Sequence, residues 1–188
     1  MRIISGKLKG KKLFLPKDKN TRPLKDLVKV SVFNLLDHSK KINKKLENSS
    51  ILDLFSGSGS FGLECLSRGS KVVYFFENYI QAIKILEKNL SLFKNKVNFQ
   101  IFKNDCFEFF NSNQKINKKF DIIFLDPPYK DKNLENLLNE IDEKKILKKN
   151  GIIILHRHKS ETDTFPKNFK IIEQKVYGIS KIIFLSYL

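Results

Sequence analysis

The sequence has no long apolar run. Its 188 residues include no stretch near the ~20 consecutive apolar residues that cross a bilayer, so no membrane partner is expected. The opening "MRIISGKLKGKK" has neither an apolar core segment nor a small-residue cleavage site. No export signal is read there, and a cytoplasmic location is expected. Cysteine is scarce: Cys65 and Cys106 are the only two, too far apart for metal-type spacing. Internal repeats and long Gly/Ser linkers are absent, and the length suits one domain with a small extension. Arginine is also rare, at four of 36 cationic residues.

The formal charge of +16 points to a polyanion. The excess is almost all lysine, in a chain also rich in Asn and Ile. A drift in composition would leave the same surplus on a solvated surface. Arg22, Arg68 and Arg157 are therefore more informative, because an arginine kept in a lysine-biased chain does what lysine cannot.

The amino-terminal "IISGKLKGKKLFL" (3–15) alternates around Gly6 and Gly10 and reads as a basic β-hairpin. Residues 24–39 follow an approximately helical pattern. The polar "KKINKKLENSS" (40–50) marks the boundary between an appendage, residues 1–45, and the main domain, residues 46–188. Beyond it, short apolar runs alternate with helices. Strands are expected at 50–55, 71–77, 97–102, 120–126 and 151–156, and helices at 60–69, 79–93 and 133–147. Two further strands flank Gly178 and close as an antiparallel pair. This is an α/β pattern: a mostly parallel seven-stranded sheet with helices on both faces.

Several motifs sit on this frame. "DLFSGSGSFG" carries Asp53, Gly57, Gly59 and Gly62, a strand running through G-x-G-x-x-G into a helix. Such a loop lets a nucleotide-type cofactor touch backbone. Glu77 ends the next strand, where an acid accepts from ribose hydroxyls. In "NDCF" (104–107), Asp105 follows another strand and suits an adenine amino group. "FLDPPY" (124–129) breaks an apolar run with two prolines. Pro127 and Pro128 fix two φ angles and remove two N–H donors. What remains is a rigid row of acceptors, the Asp126 carboxylate and the carbonyl beside Pro127, with Tyr129 as a flat stacking face. Two acceptors suit an exocyclic NH2, whose lone pair they would localise and aim. Positioning would then do most of the work of transfer. "HRH" puts His156 and His158 on one strand face with no third ligand nearby in sequence, so no metal is expected. Neither cysteine has the paired base of a nucleophile.

In this order the motifs resemble class I S-adenosylmethionine-dependent methyltransferases acting on exocyclic amines, whose Rossmann-like sheet also ends in an antiparallel hairpin. "MRIISGKLKGKKL", "NTRPLKD", "VFNLL", "LDLFSGSGSFGLECLSRG" and "FLDPPY" narrow the resemblance to the RsmD-type bacterial 16S rRNA guanine-N2 methyltransferases, over nearly the whole chain. The resemblance implies S-adenosyl-L-methionine as cofactor and N2 methylation of guanine 966 in 16S rRNA. It also implies a small-subunit assembly particle as partner, and a monomer is expected. Asp53, Phe55, Ser56, Gly57, Ser58, Gly59, Glu77, Asn78, Asp105 and Cys106 would hold the cofactor, with Arg22 closing over it. Asp126, Pro127, Pro128 and Tyr129 would form the catalytic corner. Arg2, Lys7, Lys9, Lys11 and Lys12 would grip RNA phosphates.

The chain departs from that family twice. After "TRP" the family continues Asp-Arg-Val-Arg-Glu, where this chain has Asp26, Leu27, Val28, Lys29 and Val30. Near 156 the family tends to carry an acid where this chain has "HRHK". Three other readings keep some of the motifs: a DNA adenine-N6 or cytosine-N4 methyltransferase, an NAD(P)-dependent oxidoreductase that leaves "DPPY" unused, and a non-catalytic RNA-binding relic of the fold.

Overall fold

The computed structural model describes residues 1–17, 24, 26–42, 44–93, 97–112, 116–128 and 133–188. Helix α1 (Asp26–His38) precedes an alternating series: β1 (Ser50–Leu54), α2 (Ser60–Ser67), β2 (Val72–Phe76), α3 (Ile80–Leu90), β3 (Phe99–Phe102), α4 (Cys106–Asn111), β4 (Phe120–Leu125) and α5 (Leu134–Glu143). Three strands follow: β5 (Leu147–His158), β6 (Phe169–Tyr177) and β7 (Ser180–Tyr187). They form one seven-stranded sheet in the order β3-β2-β1-β4-β5-β7-β6. The pairs β1–β2, β1–β4, β2–β3 and β4–β5 are parallel, and the two pairs made by β7 are antiparallel. This is the Rossmann-like class I methyltransferase arrangement expected above. The order reverses between β1 and β4, which opens a crevice at their carboxyl ends.

Apolar runs buried on both faces explain the central strands. Every residue of β1 is buried. On one face Ile51, Val73, Phe75, Ile122 and Phe124 pack under α1, α2 and α3. On the other, Leu52, Leu54, Phe76, Ile123 and Leu125 pack under α4 and α5. Phe61 of α2 stacks on Phe124 at 4.1 Å between ring centroids, which seats the helix beside the crevice. Among the described residues, no helix is long and apolar enough to cross a membrane.

Three elements differ from expectation. Strand β5 begins at Leu147, not 151. Its polar "LKKN" start pairs Leu147 with Phe120 before the register shifts to Ile122↔Ile152. Helix α4 was not anticipated, because six residues carry too little periodicity. The amino-terminal segment folds back without regular strands, through one isolated bridge between Arg2 and Lys12. Backbone bonds close the turn, from the Ile3 N–H to the Lys11 carbonyl and from the Gly10 N–H to the Ile3 carbonyl, each at 2.9 Å, and other donors go to α2. The N–H groups of Ile4 and Ser5 donate to the Glu64 carboxylate at 2.7 and 2.9 Å, and that of Lys7 donates to the Ser67 carbonyl at 2.8 Å. Gly6 has φ +82° and lies so close that a Cβ would fall 1.9 Å from the Ser67 oxygen. Ile3 and Leu13 join the core under α1 and α2.

Candidate active site

The loop from β1 into α2 is held from below. The Ser56 N–H donates to the Phe76 carbonyl at 2.9 Å, and its hydroxyl donates to the Asp53 carbonyl at 2.6 Å. The glycines serve different ends. At Gly57, φ is +56° and a Cβ would meet nothing within 4 Å, so the backbone faces open space. At Gly62 a Cβ would fall 2.3 Å from the Phe75 ring, so helix and strand need the glycine to meet.

Asp53, next to last in β1, lies under this loop and is 1% exposed. Its Oδ2 accepts from the Gly62 N–H at 3.0 Å, while its Oδ1 is buried without a hydrogen-bond partner. Burial pushes its carboxyl well above the ordinary range, the Gly62 N–H opposes this, and the charges of Asp126 and Glu77 add to the rise. Glu77, just past β2, accepts from the Gly57 N–H at 2.6 Å through Oε2 and from the Tyr79 N–H at 2.9 Å through Oε1. It braces the glycine loop as well as facing the crevice. Asp105 caps α4 through Oδ1, accepting from Phe107 and Glu108 N–H at 2.8 and 3.2 Å. Its Oδ2 accepts from the Asn78 amide at 2.9 Å. The carboxyl ends of β1, β2 and β3 therefore meet through Asp53, Glu77, Asn78 and Asp105, with Cys106 buried behind them. An unpartnered buried carboxyl oxygen and an open backbone at Gly57 fit a nucleoside cofactor that carries positive charge.

Asp126 follows β4, beside this cluster. Its Oδ1 lies 2.7 Å from His156 Nδ1 at the end of β5. The Arg157 guanidinium donates to the Pro128 carbonyl at 3.3 Å and to Asp163 Oδ1 at 2.9 Å. The corner is thus clamped by His156, considered above as a metal ligand, and by Arg157, singled out above for a role that lysine cannot fill. Their role depends on the β4–β5 register, which no local pattern reveals. Asn89 of α3 was also missed: its amide donates to the carbonyls of Phe14 and Ser58, each at 3.0 Å, and its oxygen accepts from the Phe14 N–H at 2.8 Å. It ties the amino-terminal segment to the glycine loop.

The remaining expected residues are placed less closely. Arg22 and Tyr129 lie outside the described residues. Arg2, Lys7, Lys9, Lys11 and Lys12 are exposed on the amino-terminal turn. That turn is anchored along the second half of α2, at Glu64 and Ser67, up to about 10 Å of helix from the glycine loop. Cys65 is buried, which pushes its thiol well up and leaves it inert.

The chain is similar over most of its length to known proteins. It is 34% identical over 183 residues to YlbH of Bacillus subtilis, covering 97% of this chain and 96% of that one. It is 32% identical over 180 residues to the ribosomal RNA small subunit methyltransferase D of Haemophilus influenzae, covering 95% and 90%. The solved structure of yhhF from Escherichia coli superposes with a TM-score of 0.84 at 26% identity, covering 100% of this chain and 97% of that one. The model for the family described as conserved hypothetical protein 95 matches residues 1–186, and the chain belongs to that family.

Proposed function

We propose that the protein is an S-adenosylmethionine-dependent methyltransferase that modifies the exocyclic N2 amine of a guanine, guanine 966 by the resemblance, in 16S rRNA of an assembling small subunit. The observation that supports this best is the acceptor corner at the sheet's switch point. Asp126 follows β4 beside the glycine loop, its N–H donating to the Leu54 carbonyl at 3.5 Å and its charge reaching Asp53, a buried carboxyl with one oxygen unpartnered. The relatedness to the small subunit methyltransferase D of Haemophilus influenzae fits the same reading.

The cofactor, when bound, supplies a methyl group on a positively charged sulfur. Gly57, Glu77 and Asp105 would hold its nucleoside, and Asp53 would face its positive charge. Asp126 and the Pro127 carbonyl accept from the two hydrogens of the guanine amine, so its lone pair turns toward the reacting carbon. Orientation of this kind provides much of the rate, because the reactants no longer search for alignment. The amine becomes acidic only once it is cationic, and its proton then leaves to Asp126 or water. Tyr129 supplies the ring on which the extruded base stacks.

The test is transfer of labelled methyl groups to unmethylated small subunits, naked 16S rRNA and DNA, followed by nucleoside mapping. Label in N2-methylguanosine is expected. Label in DNA, or none despite cofactor binding, would overturn the substrate assignment.

A further inference from the structure

Parallel pairing places Leu125 of β4 level with Leu155 of β5. The next residues, Asp126 just past β4 and His156 still within β5, therefore lie side by side at the carboxyl edge. The His156 side chain is 6% exposed and its Nδ1 lies 2.7 Å from Asp126 Oδ1, whose side chain is 19% exposed. His156 enters this position from inside the sheet, level with Ile182 of β7. A carboxylate can only accept, so the nitrogen that meets it carries the hydrogen. A carboxylate left alone turns broadly about its terminal torsion. One held by a short, charge-assisted hydrogen bond does not.

We propose that His156 is a positioning residue for methyl transfer: its Nδ1–H fixes Oδ1 of Asp126 and leaves Oδ2 as the acceptor for the substrate amine. This rests on the function proposed above. His156 touches neither substrate nor cofactor and acts through Asp126. The same strand end holds the rest of the corner, since Arg157 donates to the Pro128 carbonyl at 3.3 Å. Strand β5 thus sets the geometry of a loop that belongs to β4.

Asparagine can place its amide nitrogen near the position of Nδ1, and leucine cannot donate. His156→Leu should lower kcat by about tenfold or more, the scale on which misaligned reacting groups lose rate, with KM for cofactor and RNA within about twofold. His156→Asn should restore most of that loss. In an Asp126→Asn background, His156→Leu should cost little further, because the acceptor it orients is gone. Independently of turnover, 15N NMR of the wild-type protein should find His156 protonated at Nδ1, with the signal moving in Asp126→Ala. A His156→Leu enzyme with full kcat would overturn the proposal. So would an asparagine variant as impaired as leucine, or an unprotonated Nδ1. A wild-type protein that never methylates guanine would sink the functional reading instead, and the NMR result would still decide the contact.

Discussion

Asp126 and Asp53 carry opposite demands on the same crevice. Asp126 must stay open to a donor, so its removal should damage chemistry and spare binding. Asp126→Ala should cut turnover by about 10²-fold or more while calorimetry shows nearly unchanged cofactor affinity; equal turnover would take Asp126 out of the mechanism. Asp53 is the reverse case, a carboxyl with one buried oxygen unpartnered. Its folded pKa is raised above the ordinary 3.8, first by burial. A raised carboxyl contributes stability that is full below the unfolded value and lost as pH rises through the folded one. Asp53→Asn cannot ionise and escapes that loss. Its melting temperature relative to wild type should therefore rise as pH climbs above the ordinary carboxylate range, while its cofactor affinity falls. A pH-independent difference would mean that the fold does not shift the Asp53 carboxyl. The pattern is that of a site kept at some expense to stability.

Elements carry a second kind of demand, because α2 is both the floor of the cofactor loop and the dock for the amino-terminal segment. Glu64 is fully buried within it. Its carboxylate accepts from Ile4 and Ser5 N–H and from Arg68 Nε at 2.8 Å. Lys29 of α1 is also fully buried and donates to the Arg2 carbonyl at 2.7 Å. Burial lowers the pKa of Lys29, and the nearby Glu64 charge opposes that shift most. Glu64→Ala would leave two backbone donors and Arg68 Nε without their acceptor and take the nearby opposite charge from Lys29. Breaking a buried pair in this way costs about 3–5 kcal/mol, to be read as a lower denaturant midpoint. Faster amide exchange at residues 4–8 should accompany it, with α5 unaffected; an unchanged midpoint would show that the segment is held by apolar packing alone.

Periodicity reveals α2 as a helix but not Glu64 as its dock, since a buried carboxylate and a solvated one look alike in one dimension. The same limit hid His156. Its strand was legible from "GIIILH", and Asp126 from the two prolines after it, but their meeting follows from the β4–β5 register. The glycine loop, Glu77 and Asp105 were legible because each follows an apolar run at a strand end. The polar start of β5 was not, because "LKKN" is drawn into the sheet by pairing with β4, and not by its own composition.

At the scale of the whole molecule, a net charge of +16 is either selected for RNA or spread by composition, and the two make different predictions. Lys7, Lys9, Lys11 and Lys12 are exposed on a segment whose backbone is pinned to α2 and, through Asn89, to the glycine loop. Changing all four to Gln removes charge without touching those backbone bonds. If each lysine neutralises a phosphate, the slope of log affinity against log salt should fall by about 3, from ~0.7–0.9 per contact. Binding should weaken similarly across RNA sequences, since phosphate contacts carry no base identity. Cofactor affinity, measured without RNA, should stay at the wild-type value. Should the salt slope stay at its wild-type value, these lysines belong to the solvated surplus, and the RNA grip must be sought elsewhere on the basic surface. A slope that falls with kcat preserved on saturating RNA would separate the two tasks physically: the amino-terminal turn captures the backbone, and the corner at Asp126 handles one base.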